Sequence, residues 1–300
     1  MAIQSTGHKA KETTGSAFQH IAEECFKQIV LNKNAARQGE ADGIHQVRIG
    51  IRRLRTAICL FSEMLRDQRS RAVSRELAWA FHELGPARDL DVLAKAISKE
   101  HKDAHGELVN RACHERGAAL SKVQAAIDSK RFLKLMSDIP YWLKHGSWSA
   151  KIANKARSLP VDVAAATALK RLHRKIIRQK KALSKLNTPS RHKLRLWVKK
   201  LRYACEFFGH AFPGKKAGRR QKDFVHQLKR LQISLGAWHD ASTRQAWAKA
   251  EFLHGHKRTL PPAIVFAAGE LFAQSEASAA NIIRKSEHAL HKFSKANPFW

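Results

Sequence analysis

Apolar residues recur every three or four positions along almost the whole chain, which is the spacing of amphipathic α-helices. No segment alternates apolar and polar residues for long enough to indicate a β-strand. Glycine, proline and asparagine interrupt the helical pattern, and Asp42 is expected to cap the second helix. The predicted helices are Thr14–Arg37, Asp42–Arg66, Val73–Leu84, Arg88–Asp128, Arg131–Lys144, Val161–Leu186, Arg191–His210, a helix ending before Gly236, and a last stretch to Asn297 broken at Pro261–Pro262. The pattern therefore predicts an all-α protein.

The order of these helices suggests two halves of similar plan. Residues 137–160 hold two prolines, a glycine and two tryptophans, and we interpret them as the junction. We expect a flexible polar tail at residues 1–13 and one domain at 14–300, with halves at about 14–150 and 160–293. Each half is predicted to be a bundle of about four main helices, related to the other by an internal pseudo-twofold repeat.

The repeat is clearest in two short segments. Residues 45–61 read HQVRIGIRRLRTAICLF, and residues 192–208 read HKLRLWVKKLRYACEFF. Aligned without a gap, one histidine and four basic residues recur at the same spacing, which chance gives in about one of a hundred such sequences. These residues are His45, Arg48, Arg52, Arg53 and Arg55 in the first segment and His192, Arg195, Lys199, Lys200 and Arg202 in the second.

The spacing places most of these cations on one helix face. At about 100° per residue, His45, Arg48, Arg52 and Arg55 lie within an arc of roughly 80° and along about 15 Å of helix. Apolar residues occupy the adjacent arc, and no carboxylate lies on the basic face. Arginine matches phosphate oxygens bidentately, lysine adds a point charge and histidine donates a hydrogen bond. Such a row suits a string of phosphates; the alternative is a solvated basic surface.

A second basic stripe precedes the second segment. It consists of Lys170, Arg174, Arg178, Lys181 and Lys185. In the same alignment Arg174 corresponds to Lys27, whereas Arg178 and Lys181 correspond to uncharged residues. We therefore add Lys27, Arg174, Arg178 and Lys181 to the predicted phosphate-binding residues and expect the second half to bind the anion more strongly. A solvated helix face is again the alternative.

The overall charge points to a polyanionic partner. The chain has 56 Lys and Arg against 25 Asp and Glu, a formal net charge of +31, and residues 151–250 hold 26 of these cations with only four acids. Self-repulsion at this density favours a bound counter-anion: nucleic acid, an acidic membrane surface or polyphosphate. The absence of a long apolar run excludes a membrane span, and the scattered cysteines fit reduced thiols. We expect a cytoplasmic protein, associated with polyphosphate granules.

The paired H-x-x-R-x-x-x-[RK]-[RK]-x-R helices resemble the CHAD family, the conserved-histidine α-helical domain. LGPARD at residues 84–89 and LGAWHD at 235–240 resemble its second signature, although His239 stands where the first copy has Arg88. The resemblance implies two helical bundles around a basic central cavity or groove, binding of inorganic polyphosphate, and a ligand role for the matched motif residues. Asp89 and Asp240 are expected to stabilise helix starts, the alternative being that they orient a motif arginine.

We predict that the protein binds inorganic polyphosphate without catalysis, cofactor or metal. A nucleic-acid-binding helical protein is the alternative, although no zinc-finger or RNP pattern is present. A polyphosphate-processing enzyme is the third reading, and it would need acidic residues to hold Mg²⁺ among the cations. The pairs His101/His105 and His288/His291 have metal-ligand spacing but no HExxH pattern. The sequence leaves the oligomeric state open.

Overall fold

The structure is a computed structural model that describes residues 12–100, 106–149, 155–180, 183, 185–255 and 262–300. Almost every residue in these ranges is helical and none belongs to a β-sheet, so the all-α prediction is confirmed. The helices are α1 Thr14–Arg37, α2 Ala41–Leu60, α3 Gln68–Glu83, α4 Gly85–Glu100, α5 Gly106–Asp128, α6 Lys130–His145, α7 Lys155–Ser158, α8 Val161–Ile177, α9 Thr188–Phe208, α10 Lys215–Gly255 and α11 Pro262–Ser294. The internal repeat stays an interpretation of the sequence.

The start and end of α2 differ from the prediction. The helix begins at Ala41 after Glu40, so Asp42 lies inside the first turn and the expectation that it caps the helix was wrong. The helix ends at Leu60 rather than Arg66, because Phe61, Met64 and Leu65 turn into the core and are nearly fully buried. The chain then enters α3 with Asp67 as its N-cap.

Helix α10 is longer than the prediction. It continues through Gly236, where a break was expected, and forms one helix of 41 residues. Pro86 explains why α3 and α4 do separate at the matching position of the first half. A proline lacks the backbone N–H and clashes with the preceding turn, whereas Ala237 has neither restriction. Glycine alone therefore does not end the helix here.

Two other predicted helices also have different bounds in the structure. Helix α8 ends at Ile177 rather than Leu186. The predicted helix 88–128 corresponds to α4 and α5, and residues 101–105 between them lie outside the described part of the chain.

The two motif helices are held together by buried apolar contacts. Helix α1 packs on α2, α8 packs on α9, and α2 contacts α9 directly. The apolar stripes predicted beside the basic faces are fully buried, as at Ile51 and Leu201. Phe61 and Phe208, the matched last residues of the two motifs, meet with ring centroids 5.4 Å apart. This packing fixes the orientation of each basic face relative to the other motif helix.

None of the helices that the structure describes combines the length and hydropathy required to cross a bilayer.

The close approach of α1 and α2 depends on Gly43. A Cβ at this position would lie 2.6 Å from backbone atoms of Ala35 and Ala36, a distance that backbone atoms cannot relieve without moving α1. We expect Gly43→Ala to lower the free energy of unfolding by about 2–3 kcal/mol. Gly117 in α5 has no atom near its would-be Cβ, so Gly117→Ala should raise it by about 0.5–1 kcal/mol. Urea denaturation followed by circular dichroism measures both, and an equal effect of the two changes would contradict this account of the helix contact.

Candidate functional site

Two adjoining cavities lie between α2, α4, α9 and α10, with volumes of about 190 Å³ and about 560 Å³. We call them together the central channel. Residues from all four helices line both cavities: Arg48, Arg52, Asp89, Arg195, Lys199 and His239. The two predicted basic faces therefore meet in one space.

Eight of the ten motif residues line this channel. From α2 these are His45, Arg48, Arg52 and Arg55, and from α9 they are His192, Arg195, Lys199 and Lys200. The α2 set is the one that the helical spacing placed on a single face.

The other two motif residues point elsewhere and share one acidic neighbour. Arg53 lies 4.0 Å from Glu206 and over the ring of Phe207. Arg202 pairs with Glu206 as well and donates a 2.7 Å hydrogen bond to Gln232 of α10. These arginines connect α9 to its neighbours, and neither lines the channel.

The remaining predicted ligands lie outside the channel. Lys27 is exposed on α1 and does not line the channel. Arg174 and Arg178 lie in a separate exposed groove on α8. Lys181 falls outside the described residues.

Phe81 of α3 organises the two central arginines of α2. Arg48 donates a 2.9 Å hydrogen bond to the Phe81 carbonyl oxygen, and its guanidinium lies 4.2 Å from the ring centroid. The Arg52 guanidinium lies 4.9 Å from the same centroid. The ring thus holds two like charges side by side at the channel wall. Sequence reasoning missed this role, because Phe81 was indistinguishable from an ordinary core residue.

Carboxylates also reach the channel, from helices other than α2 and α9. Asp240 lies in the middle of α10, so the expectation that it stabilises a helix start was wrong. Asp89 is the fifth residue of α4, beyond its first turn. Asp89 attracts Arg48 and Asp240 attracts Arg195, which fits the alternative role of orienting motif arginines. Burial nevertheless raises the pKa of Asp240 above its ordinary value, despite the nearby Arg195.

Further channel residues were missed or left in doubt by the sequence argument. Arg88, His239 and Arg244 line the smaller cavity, and Thr56, Ser74 and Tyr203 add hydroxyl groups to the larger one. The signal for Arg88 and His239 was present in the paired LG-x-x-x-D segments. Nothing in the sequence pattern marks the hydroxyl residues.

Burial is the main factor that destabilises the charged form of the channel cations, and neighbouring cations add to it. Burial, together with Arg52 and Arg195, lowers the pKa of Lys199 to about 7. Burial is also the largest cause that lowers the pKa of Arg48 to about 10 and that of His239 to about 4. The pKa of His192 is lowered in the same way. A bound anion would relieve both the repulsion and the loss of hydration, so this arrangement favours anion binding.

Within the described part of the chain, no group of three or more His, Cys, Asp or Glu side chains could hold a metal ion. His101 and His105 lie outside the described residues.

Comparison with known proteins identifies the fold family. A model of the CHAD domain family matches residues 20–249, which is most of the chain. The chain belongs to the CHAD family. The crystal structure of the CHAD domain from the plant Ricinus communis superposes with a TM-score of 0.79, covers 94% of this chain and 93% of that chain, and is 25% identical. PptA from Streptomyces chartreusis gives a TM-score of 0.67 at 19% identity, over 93% of this chain and 100% of that chain, which shows a shared fold.

A comparison with curated proteins gave no match.

The charge on Lys199 of this CHAD domain should destabilise the ligand-free protein. Its folded-state pKa of about 7 lies below the ordinary 10.5, so the full cost of the ammonium applies below pH 7 and disappears as the pH rises toward 10.5. We expect Lys199→Met to raise the free energy of unfolding at neutral pH by about 1–2 kcal/mol. Thermal denaturation across this pH range should show the advantage shrinking as the pH increases.

Lys229→Met is the matched control, because Lys229 is exposed on α10. If both variants change stability equally, the buried charge is not the cause.

Proposed function

We propose that this CHAD domain binds inorganic polyphosphate in the central channel without cleaving it. The observation that carries the proposal is the convergence of eight motif side chains from α2 and α9 on one space. The association of the family with polyphosphate, implied by the sequence resemblance, supports the same ligand. We also propose that the protein is cytoplasmic and associates with polyphosphate granules.

The dimensions of the site favour a chain of phosphates over a single one. The row from His45 to Arg55 follows α2 for about 15 Å, and the cations of α9 face the same channel. A single phosphate can contact only a few of these donors at once. An unbranched polyphosphate presents oxygens along its whole length, so successive phosphates can meet successive side chains.

Nucleic acid is less well matched to this channel. Non-specific binding of single strands uses exposed aromatic rings on which bases stack. Guanidinium groups already cover the Phe and Tyr rings at the larger cavity: Arg48 and Arg52 lie over Phe81, and Arg202 lies over Tyr203. Only the smaller imidazole rings of His192 and His239 are left there for stacking, so the channel is better suited to phosphate contacts than to bases.

Binding without turnover fits the arrangement of the two carboxylates. Phosphoryl transfer requires acidic groups that hold Mg²⁺ against the phosphates. Asp89 and Asp240 instead lie among arginines that attract them, and burial disfavours the charged form of Asp240. We assign them to orienting Arg48 and Arg195.

Removing two channel cations should weaken polyphosphate binding. We expect Arg52→Gln/Lys199→Gln to lower the affinity by about 10- to 100-fold, because each lost residue removes charge-assisted hydrogen bonds. Titration calorimetry at fixed salt measures the change. Arg219→Gln/Arg220→Gln is the control, since it removes the same charge from exposed positions at the start of α10.

Equal effects of the two double variants would refute specific binding in the channel and leave only non-specific charge attraction. Phosphate release by the wild type that requires Mg²⁺ and is lost in Asp240→Asn would overturn the assignment as a binding protein. Stronger binding of single-stranded DNA at equal phosphate concentration would favour the nucleic-acid function.

Polyphosphate binding should also take up protons near neutral pH. The bound anion offsets the burial and repulsion that lower the pKa of Lys199 to about 7, so that pKa rises on binding. The affinity is therefore expected to increase as the pH falls from about 8 to about 6. Calorimetry in two buffers of different ionisation enthalpy measures the uptake, which Lys199→Gln should reduce. If the affinity of the wild type for polyphosphate does not change with pH, the role of Lys199 is contradicted.

A further inference from the structure

A row of exposed cations runs along the outer side of α8. Five cations and one threonine recur every three or four positions and line a single groove, which we call the α8 face. Its residues are Thr167, Lys170, Arg171, Arg174, Lys175 and Arg178. All six are exposed, and the cations extend over about 12 Å of helix. The residues of this face do not line the central channel.

The charge of the α8 face is not neutralised by the described protein. None of its five cations forms an ion pair with a residue that the structure describes. The one acid of α8, Asp162, lies in the first turn, two turns before Lys170. A solvated protein surface normally mixes both signs, so an uninterrupted positive row favours an anionic ligand.

Trp197 lies between the α8 face and residues that neighbour the channel lining. The ammonium groups of Lys175 on α8 and Lys193 on α9 lie 5.9 Å and 5.7 Å from the centroid of its ring. Lys193 directly follows His192, and Trp197 directly follows Leu196, and both preceding residues line the larger cavity. Positive side chains thus continue from the channel wall across the tryptophan to α8.

The equivalent helix beside α2 lacks such a row. Helix α1 packs on α2 as α8 packs on α9, but Leu31 stands where the sequence alignment has Arg178. Leu31 is 70% exposed. The aligned positions of α1, all of them within the described part of the chain, therefore do not repeat the positive row of α8.

We infer that the α8 face is a second polyphosphate-binding site, engaged by chains long enough to leave the central channel across Lys193 and Trp197. The inference rests on the proposed function and deepens it, because it makes long chains the preferred ligand. Once a polyphosphate is held in the channel, binding of its free end to the α8 face is an intramolecular event. A long polyphosphate therefore gains affinity that separate short chains do not gain. The continuity with the channel selects polyphosphate over an unrelated acidic partner.

The test compares short and long ligands on one pair of variants. Arg174→Gln/Arg178→Gln removes two cations from the α8 face, and Arg219→Gln/Arg220→Gln removes two from exposed positions on α10. The probes are tripolyphosphate, fractions of inorganic polyphosphate of increasing mean length, and single-stranded DNA. We expect the α8 variant to lose about tenfold in affinity for long chains and to keep the wild-type affinity for tripolyphosphate, while the control changes little at either length.

An equal loss at both lengths, or no loss for long chains, would overturn the inference. A loss confined to DNA would reassign the α8 face to nucleic acid and also overturn it. The channel variant Arg52→Gln/Lys199→Gln separates this result from the proposed function, because it should weaken both lengths. If that variant binds tripolyphosphate as tightly as the wild type does, the proposed function is refuted, whatever the α8 variant shows.

Discussion

Burial of several cations in one space is the constraint on which the rest of this structure depends. Arg48, Arg52, Arg195 and Lys199 line the channel together, and the pKa of Lys199 falls to about 7, chiefly because burial removes water from the ammonium group and also because Arg52 and Arg195 repel it. Such a cluster persists only where the surrounding packing holds the helices together. The burial of the apolar stripes on α2 and α9 and the contact between Phe61 and Phe208 supply that packing. This packing holds the buried cations close together in the folded protein.

Helical periodicity was sufficient to predict the fold class and to place the basic residues of α2 on one face. The spacing of His45, Arg48, Arg52 and Arg55 placed them on one face, and all four line the channel. That Lys200 lines the channel and Arg202 does not was not predictable, because Gln232 and Glu206 together hold the Arg202 guanidinium outside the channel. Partners on other helices decide where a long side chain points, and helix spacing carries no information about them.

The errors at Asp240 and Gly236 have one physical origin. Both followed from treating glycine as a helix end, which would have placed Asp240 near a new N-terminus. A glycine inside a helix costs only about 1 kcal/mol, and tertiary packing readily offsets that amount. At Pro86 the missing N–H and the steric clash prevent α3 from continuing, so the helix is interrupted before this residue.

The burial of α4 and α10 in a shared apolar cluster has a mechanical consequence. One wall of the channel, with His239 and Asp240, belongs to a single uninterrupted rod of 41 residues whose far part, at Ala248, is anchored in a second apolar cluster. A second wall, with Asp89, belongs to the 16-residue helix α4, which enters the same apolar cluster through Leu93 and Ile97. The two walls are therefore coupled through shared buried packing, and α4 cannot shift against α10 without disturbing that cluster.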